Sequence, residues 1–200
     1  MTPDAILAAI ESERLRLCDH LDDLDDAQWW TPSLCPAWTV RDVVAHLTVP
    51  TRATWRWILP YAARSRGDFH RMSERMAIDR AAAFTPRELV AQLRETAGSP
   101  RRMPLSGPMD PLLDILVHGQ DIARPLGRRH PMPVGLAAEA LRYATTNAFH
   151  GAPKRLAGHH LTATDTPFTY GTGPAELRDT AENLLLVAMG RQPAGRISAP

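Results

Sequence analysis

Apolar residues recur at helical spacing almost from the first residue of this chain. After Thr2-Pro3-Asp4, which has the form of a helix start, Ile6, Ile10, Leu17, Leu21 and Leu24 fall three, four or seven apart and predict an amphipathic first helix. It runs into Asp22-Asp23-Leu24-Asp25-Asp26, where carboxylates oppose the helix dipole, so a turn is expected there. A loop with Trp29, Trp30, Pro32, Cys35, Pro36 and Trp38 follows, too aromatic for a free linker. It either covers one end of the core or makes a homodimer contact. Thr39 with Asp42 three residues on has the form of a capping box, and Val40, Val43, Val44 and Leu47 give the next helix an apolar side that His46 shares. Pro50 is expected to kink or end this helix, and residues 54–59 read as helical again until Pro60.

Residues 62–83 are rich in Arg, Met and Ala, with Gly67 as a break. Thr85-Pro86-Arg87-Glu88 is a strong helix start, with Leu89, Leu93 and Ala97 facing the core and Gly98 ending the helix. After the Pro/Arg loop from Ser99 to Pro108 comes Asp110 to Gly127, read with Asp110 as N-cap, Pro111 at the first helical position and Pro125 as the stop. These substantial helices meet the requirement of an antiparallel four-helix bundle over residues 1–130. In residues 131–200, Val134 to Phe149 reads as a further helix. Leu161 to Thr164 and Phe168 to Tyr170 alternate around Asp165-Thr166-Pro167 and predict a β-hairpin, and Pro174 to Met189 reads as a final helix. The expected fold is mainly α: a bundle with a small C-terminal α+β extension, helix, hairpin and helix, packed on it.

Composition adds limits. Two hundred residues, 44% hydrophobic, make one full core with at most a small appendage. A net charge of +1 gives no reason to expect nucleic acid or an anionic membrane as partner. No apolar run approaches the roughly 20 residues of a spanning helix, and the N-terminus lacks a basic region followed by an apolar core. A cytoplasmic location is the default. Cys18 and Cys35 form neither a C-x-x-C motif nor a disulfide framework, which fits a reducing compartment, and neither is assigned a role. Lys154 is the one lysine among 23 basic residues. That excess of arginine suits a GC-rich coding sequence.

The chemistry concentrates in Asp110 to Gly127. Leu112, Leu113, Ile115, Leu116, Val117, Ile122 and Ala123 make this helix apolar on most sides, yet Asp114 and His118 stand one turn apart with Asp121 three further on. Buried polar groups need partners. Either a hydrogen-bonded Asp–His pair or a metal ion satisfies the stripe. With His46 the chain offers two imidazoles and a carboxylate, a set that leaves open positions on Zn(II), Ni(II) or Fe(II). Asp121 either orients a ligand from behind or pairs with an arginine such as Arg124 or Arg128. His20, His159 and His160 read as structural or exposed, the last two being adjacent and so poorly placed to share an ion.

At these residues the chain resembles the mycothiol-dependent maleylpyruvate isomerase-like proteins of actinobacteria, within the wider DinB-like metal-binding bundles. The matching segments are L-C-P-A-W-T-V-R-D-V-V-A-H-L (Leu34 to Leu47), D-I-L-V-H-G-Q-D-I-A-R-P-L-G (Asp114 to Gly127), L-T-A-T-D-T-P-F-T-Y-G-T-G-P (Leu161 to Pro174) and L-L-L-V-A-M-G-R (Leu184 to Arg191). The resemblance implies metal ligation by His46, Asp114 and His118, with aspartate standing where the isomerase has glutamate. It also implies a C-terminal part shorter than the isomerase's α/β domain. By the same resemblance the cofactor is a divalent ion, zinc foremost, with mycothiol as co-substrate and a small electrophile as substrate. The reacting group is then a thiol or water brought by the ion rather than a side chain. The expected activity is thiol transfer or isomerisation. The alternatives are a non-catalytic metal- or ligand-binding module and a thiol-independent, metal-dependent hydrolase.

Overall fold

The computed structural model describes residues 1–192; the last residues of the C-terminal stretch read above lie outside the described residues. The chain divides into two compact units, one of Thr2–His130 and one of the residues from Pro131 on together with Met1.

In the first unit six helices follow one another: α1 (Pro3–Leu21), α2 (Val40–Arg52), α3 (Trp55–Arg64), α4 (Phe69–Ala83), α5 (Pro86–Glu95) and α6 (Asp110–Ala123). Both α1 and α2 pack against α5 and against α6, so these four close a bundle, and α4 lies on the side of α2. Its interior is filled by Leu17 and Leu21 of α1, Val43 and Val44 of α2, Leu89 and Leu93 of α5, and Leu112 and Leu113 of α6, all buried. These are the residues that the helical spacing turns to one side. A smaller cluster of Val49, Ala53, Ile58, Met72 and Met76, with Trp57 and Tyr61 against it, joins the end of α2 to α3 and α4.

The caps at Thr39 and Thr85 form as expected, each threonine accepting the backbone N–H three residues on while Asp42 or Glu88 reaches back. One proline reading is corrected: Pro60 lies inside α3, which continues to Arg64. Pro50 lies inside α2, two residues before its end. A mid-helix proline loses one backbone bond and crowds the preceding turn. Packing of Ile58 and Tyr61 in the Met72–Met76 cluster outweighs that loss in α3. Asp110 is the first residue of α6 rather than its cap, and its carboxylate accepts from the backbone N–H of Gly107, 2.7 Å away.

His130 closes the unit. Its ring lies 5.1 Å from that of His20, and a Cβ on Gly119 of α6 would come within 3.0 Å of it, so the bare backbone there makes room for the imidazole. Burial, with Arg16 and His20 nearby, pushes the His130 imidazole down to about 4. An unfolded chain takes up this proton near pH 6.5 and the folded one does not, so stability is lost as pH falls from about 6.5 towards 4, by about 3 kcal/mol in all. Guanidinium unfolding across that window should show the loss, and His130→Phe, which keeps a ring against Gly119, should flatten it.

The second unit holds α7 (Val134–Thr146), α8 (Ala152–Arg155), β1 (His159–Ala163), β2 (Thr169–Tyr170), β3 (Ala175–Asp179) and α9 (Ala181–Ala188). The hairpin forms, with Leu161 opposite Tyr170 and Thr162 opposite Thr169. It is part of a three-stranded sheet of order β2-β1-β3, in which β3 runs parallel to β1 with Leu161 level with Leu177. The final helix is therefore shorter than expected. Ala175–Asp179 buries only Leu177, as a strand does, and α9 is capped by Thr180, whose hydroxyl accepts from the Asn183 N–H. Likewise α7 stops at Thr146, because Asn147 is extended and its side chain caps a single turn over Ala148–His150. At Gly173 a Cβ would sit 2.0 Å from the Gly158 backbone, so only glycine fits where the chain turns into β3. Leu184, Leu185, Leu186 and Val187 of α9 are buried, with α9 packed on α7.

Candidate metal centre

Two local decisions place the donors. The Thr39–Asp42 box starts α2 two turns before His46, and Pro111 helps start α6 one turn before Asp114. Because α2 and α6 pack together, His46 faces the pair Asp114 and His118 across the bundle. His46 Nε2 lies 3.4 Å from the Asp114 carboxylate, and His118 Nε2 lies 3.3 Å from the same group. The two imidazoles stand edge to face with centroids 4.9 Å apart. One ligand atom from each of the three residues lies within 4.8 Å of the others.

The opposite ring nitrogens are engaged elsewhere. His118 Nδ1 is 2.8 Å from Asp121 Oδ2, and His46 Nδ1 is 3.2 Å from Ser73 Oγ on α4. A fully buried carboxylate at 2.8 Å holds the His118 proton on Nδ1, which turns the Nε2 lone pair towards Asp114. Acceptors then face one another at separations longer than an ordinary N–H···O bond. A cation between them, a proton or a metal ion, resolves that arrangement. The donor set of two imidazoles and one carboxylate, with both imidazoles oriented from behind, fits a divalent transition ion. The Asp114 side chain is 30% exposed, so the set is open on one side.

The electrostatics agree. Burial by itself would raise the Asp114 carboxyl, but the His46 and His118 imidazoles outweigh it and hold the group well below the usual carboxylate range. Burial would likewise lower His118, yet Asp114, Asp121 and Cys35 raise it well above the usual imidazole range.

Three residues of the surroundings were given no role from sequence. The Trp38 ring lies over both histidines, with centroids 5.1 Å from His46 and 6.1 Å from His118. Ser73 is the neighbour of His46 just described. The Cys35 thiol is 3.0 Å from Asp121 Oδ2 and 3.7 Å from His118 Nδ1, which makes Cys35, His118 and Asp121 a second, fully buried set of potential donors. No local signal marks Cys35, because its partner lies 86 residues away. Of the two arginines suggested as partners of Asp121, Arg128 donates to Asp23 and Arg124 donates to Gln120. Cys18 faces the Val90 carbonyl, and burial pushes its thiol up to about 11, so it stays protonated and inert at neutral pH. His159 and His160 lie on β1 and bond to backbone carbonyls.

Fold and site thus define a helical bundle with a candidate two-histidine, one-carboxylate centre between facing helices. Residues 10–108 match the family model for the mycothiol maleylpyruvate isomerase N-terminal domain, so the resemblance read in Leu34 to Leu47 is borne out and this part of the chain carries that domain. His46 lies inside the match; Asp114 and His118 follow it. The fold is also that of the crystal structure of the mycothiol-dependent maleylpyruvate isomerase, at 15% identity and a TM-score of 0.61, covering 100% of this chain and 95% of that one. A histidine-to-alanine mutant of that isomerase matches at 14% identity and a TM-score of 0.60, with the same coverage. What read as hairpin plus helix contains a further strand, β3. Comparison with curated protein sequences finds no significant match.

Proposed function

We propose that this protein is a metal-dependent enzyme that uses mycothiol in isomerisation or thiol transfer on a small electrophile. The observation that carries this reading is the convergence of His46 Nε2, Asp114 and His118 Nε2 on one partly open point. The family match over residues 10–108 supports the thiol. A divalent ion held by these residues, zinc foremost and Ni(II) or Fe(II) also suited, supplies the Lewis acidity that keeps a thiol deprotonated at neutral pH.

The chain's own groups prepare the site. Asp121 and Ser73 hold the two imidazoles in the orientation that presents Nε2, and Trp38 covers both rings against water on one side. Asp114 is a methylene shorter than the glutamate that the resemblance leads one to expect, and His46 and His118 flank it closely enough to make up the reach. Among the described residues no helix is long and apolar enough to cross a membrane. We place the protein in the cytoplasm, where a small reduced thiol is available to it and Cys18 and Cys35 stay as thiols.

The test is turnover of maleylpyruvate, followed by absorbance, with mycothiol and metal each supplied or withheld. Turnover that requires both is expected. Turnover without thiol would point instead to a metal-dependent hydrolase or thiol-free isomerase. No turnover or thiol conjugate, with a melting temperature indifferent to chelator, would identify a non-catalytic module.

A further inference from the structure

We propose that Cys35 is a positioning residue for the metal centre: its thiol donates to Asp121, and through that carboxylate it fixes how His118 presents Nε2. This rests on the metal reading above. The geometry is a relay. Cys35 Sγ donates to Asp121 Oδ2 at 3.0 Å, and the same oxygen accepts from His118 Nδ1 at 2.8 Å. Asp121 has no exposed surface and Cys35 is 7% exposed, so water does not substitute freely for the thiol. A buried carboxylate requires donors, and each one narrows the orientations open to it.

The turn carrying Cys35 is built for this contact. The Leu34 N–H donates to the Asp121 carbonyl at 3.1 Å, so this turn grips both the backbone and the side chain of one α6 residue. Within the turn, Ser33 Oγ accepts from the Cys35 N–H at 3.1 Å, Ser33 N–H donates to the Trp38 carbonyl at 2.9 Å, and Ala37 takes a left-handed conformation with φ of 66°. A non-glycine residue held there is strained, and the bonds on either side of it sustain that shape. Three residues beyond Cys35, Trp38 lies over the ligand rings. Thus one short turn sets both the support behind His118 and the wall in front of it.

A thiol suits the position. It is a weaker donor than a hydroxyl, so Asp121 keeps most of its charge for the His118 Nδ1 proton while still being held in line. Removing the donor takes away one of the bonds that orient the carboxylate, and supporting partners of this kind are worth about 10–100-fold in metal affinity.

The experiment is zinc affinity, measured by competition with a chromophoric chelator, for the full chain and for Cys35→Ala and Cys35→Ser. Alongside it, the His118 Nδ1–H resonance is recorded in the zinc-loaded proteins by nitrogen-15 NMR. Cys35→Ala should bind zinc about tenfold more weakly and shift or broaden that resonance, and Cys35→Ser, which keeps a donor, should recover affinity to within about threefold of the parent. If alanine unfolds the turn, Cys35→Val, near in volume and without a donor, takes its place. Unchanged affinity in the donor-free variants, with only a lower melting temperature, would reduce Cys35 to a packing residue and overturn the proposal. So would a serine variant as impaired as alanine. Failure of the parent protein to bind zinc is a different result, which overturns the metal reading and this proposal together.

Discussion

Replacing His118 with alanine is expected to abolish zinc-dependent stabilisation. For a protein that binds an ion only when folded, free ion at a thousandfold above its Kd adds about 4 kcal/mol. Thermal melts of the parent chain with and without zinc should therefore separate widely, and those of His118→Ala should coincide. The size of the effect follows from position. His118 touches Asp114, Asp121 and Cys35 together, so its loss removes a ligand and the group that ties the proposed ligand set to its support. In the metal-free state its imidazole is held protonated well above the ordinary range. Zinc must displace that proton, so binding should release about one proton near neutral pH, readable by calorimetry in buffers of different ionisation enthalpy. Coinciding melts in the parent chain itself would leave the cluster as a purely structural one.

The second large effect concerns folding. Arg14 is 3% exposed, and its guanidinium donates to the backbone carbonyls of Thr96 at 3.2 Å, Ala97 at 3.0 Å and Ser99 at 3.4 Å, closing the C-terminal end of α5. Burial lowers its pKa, against the pull of Asp114 and Cys18. A cation at a helix C-terminus also meets the negative end of the dipole. Arg14→Met fills similar space and offers no donor. Left with the buried Ala97 carbonyl deprived of this donor, the variant should lose about 3 kcal/mol. For a chain of this length that is a fall of roughly 6–12 °C in melting temperature. A change under about 2 °C would show that α5 closes without the guanidinium.

What the sequence revealed was whatever is settled locally. The cap at Thr39, the start of α6 at Pro111 and the i, i+4 relation of Asp114 and His118 need only neighbouring residues, and His46 shares the apolar side of its helix with Val43. Those features, with the family resemblance, were enough to nominate the three donors that the bundle brings together. Contacts made over distance were not legible. The bond of Cys35 to Asp121 spans 86 residues and that of Ser73 to His46 spans 27, and no spacing rule connects them. Strand β3 was hidden for the same reason. Ala175–Asp179 has a single buried residue, so its period cannot tell strand from helix, and its parallel pairing with His159–Ala163 decides the matter from elsewhere in the chain. Pro60 shows packing overriding a strong local signal.

The most direct test of the proposed centre is an anomalous-difference map, collected at the absorption edge of the metal found in a crystal of untagged protein purified without chelator. Expected is one peak per chain, bonded to His46 Nε2, an Asp114 oxygen and His118 Nε2 at about 2.0–2.2 Å. No peak among these residues, or a peak bonded to Cys35 and Asp121 instead, would contradict it.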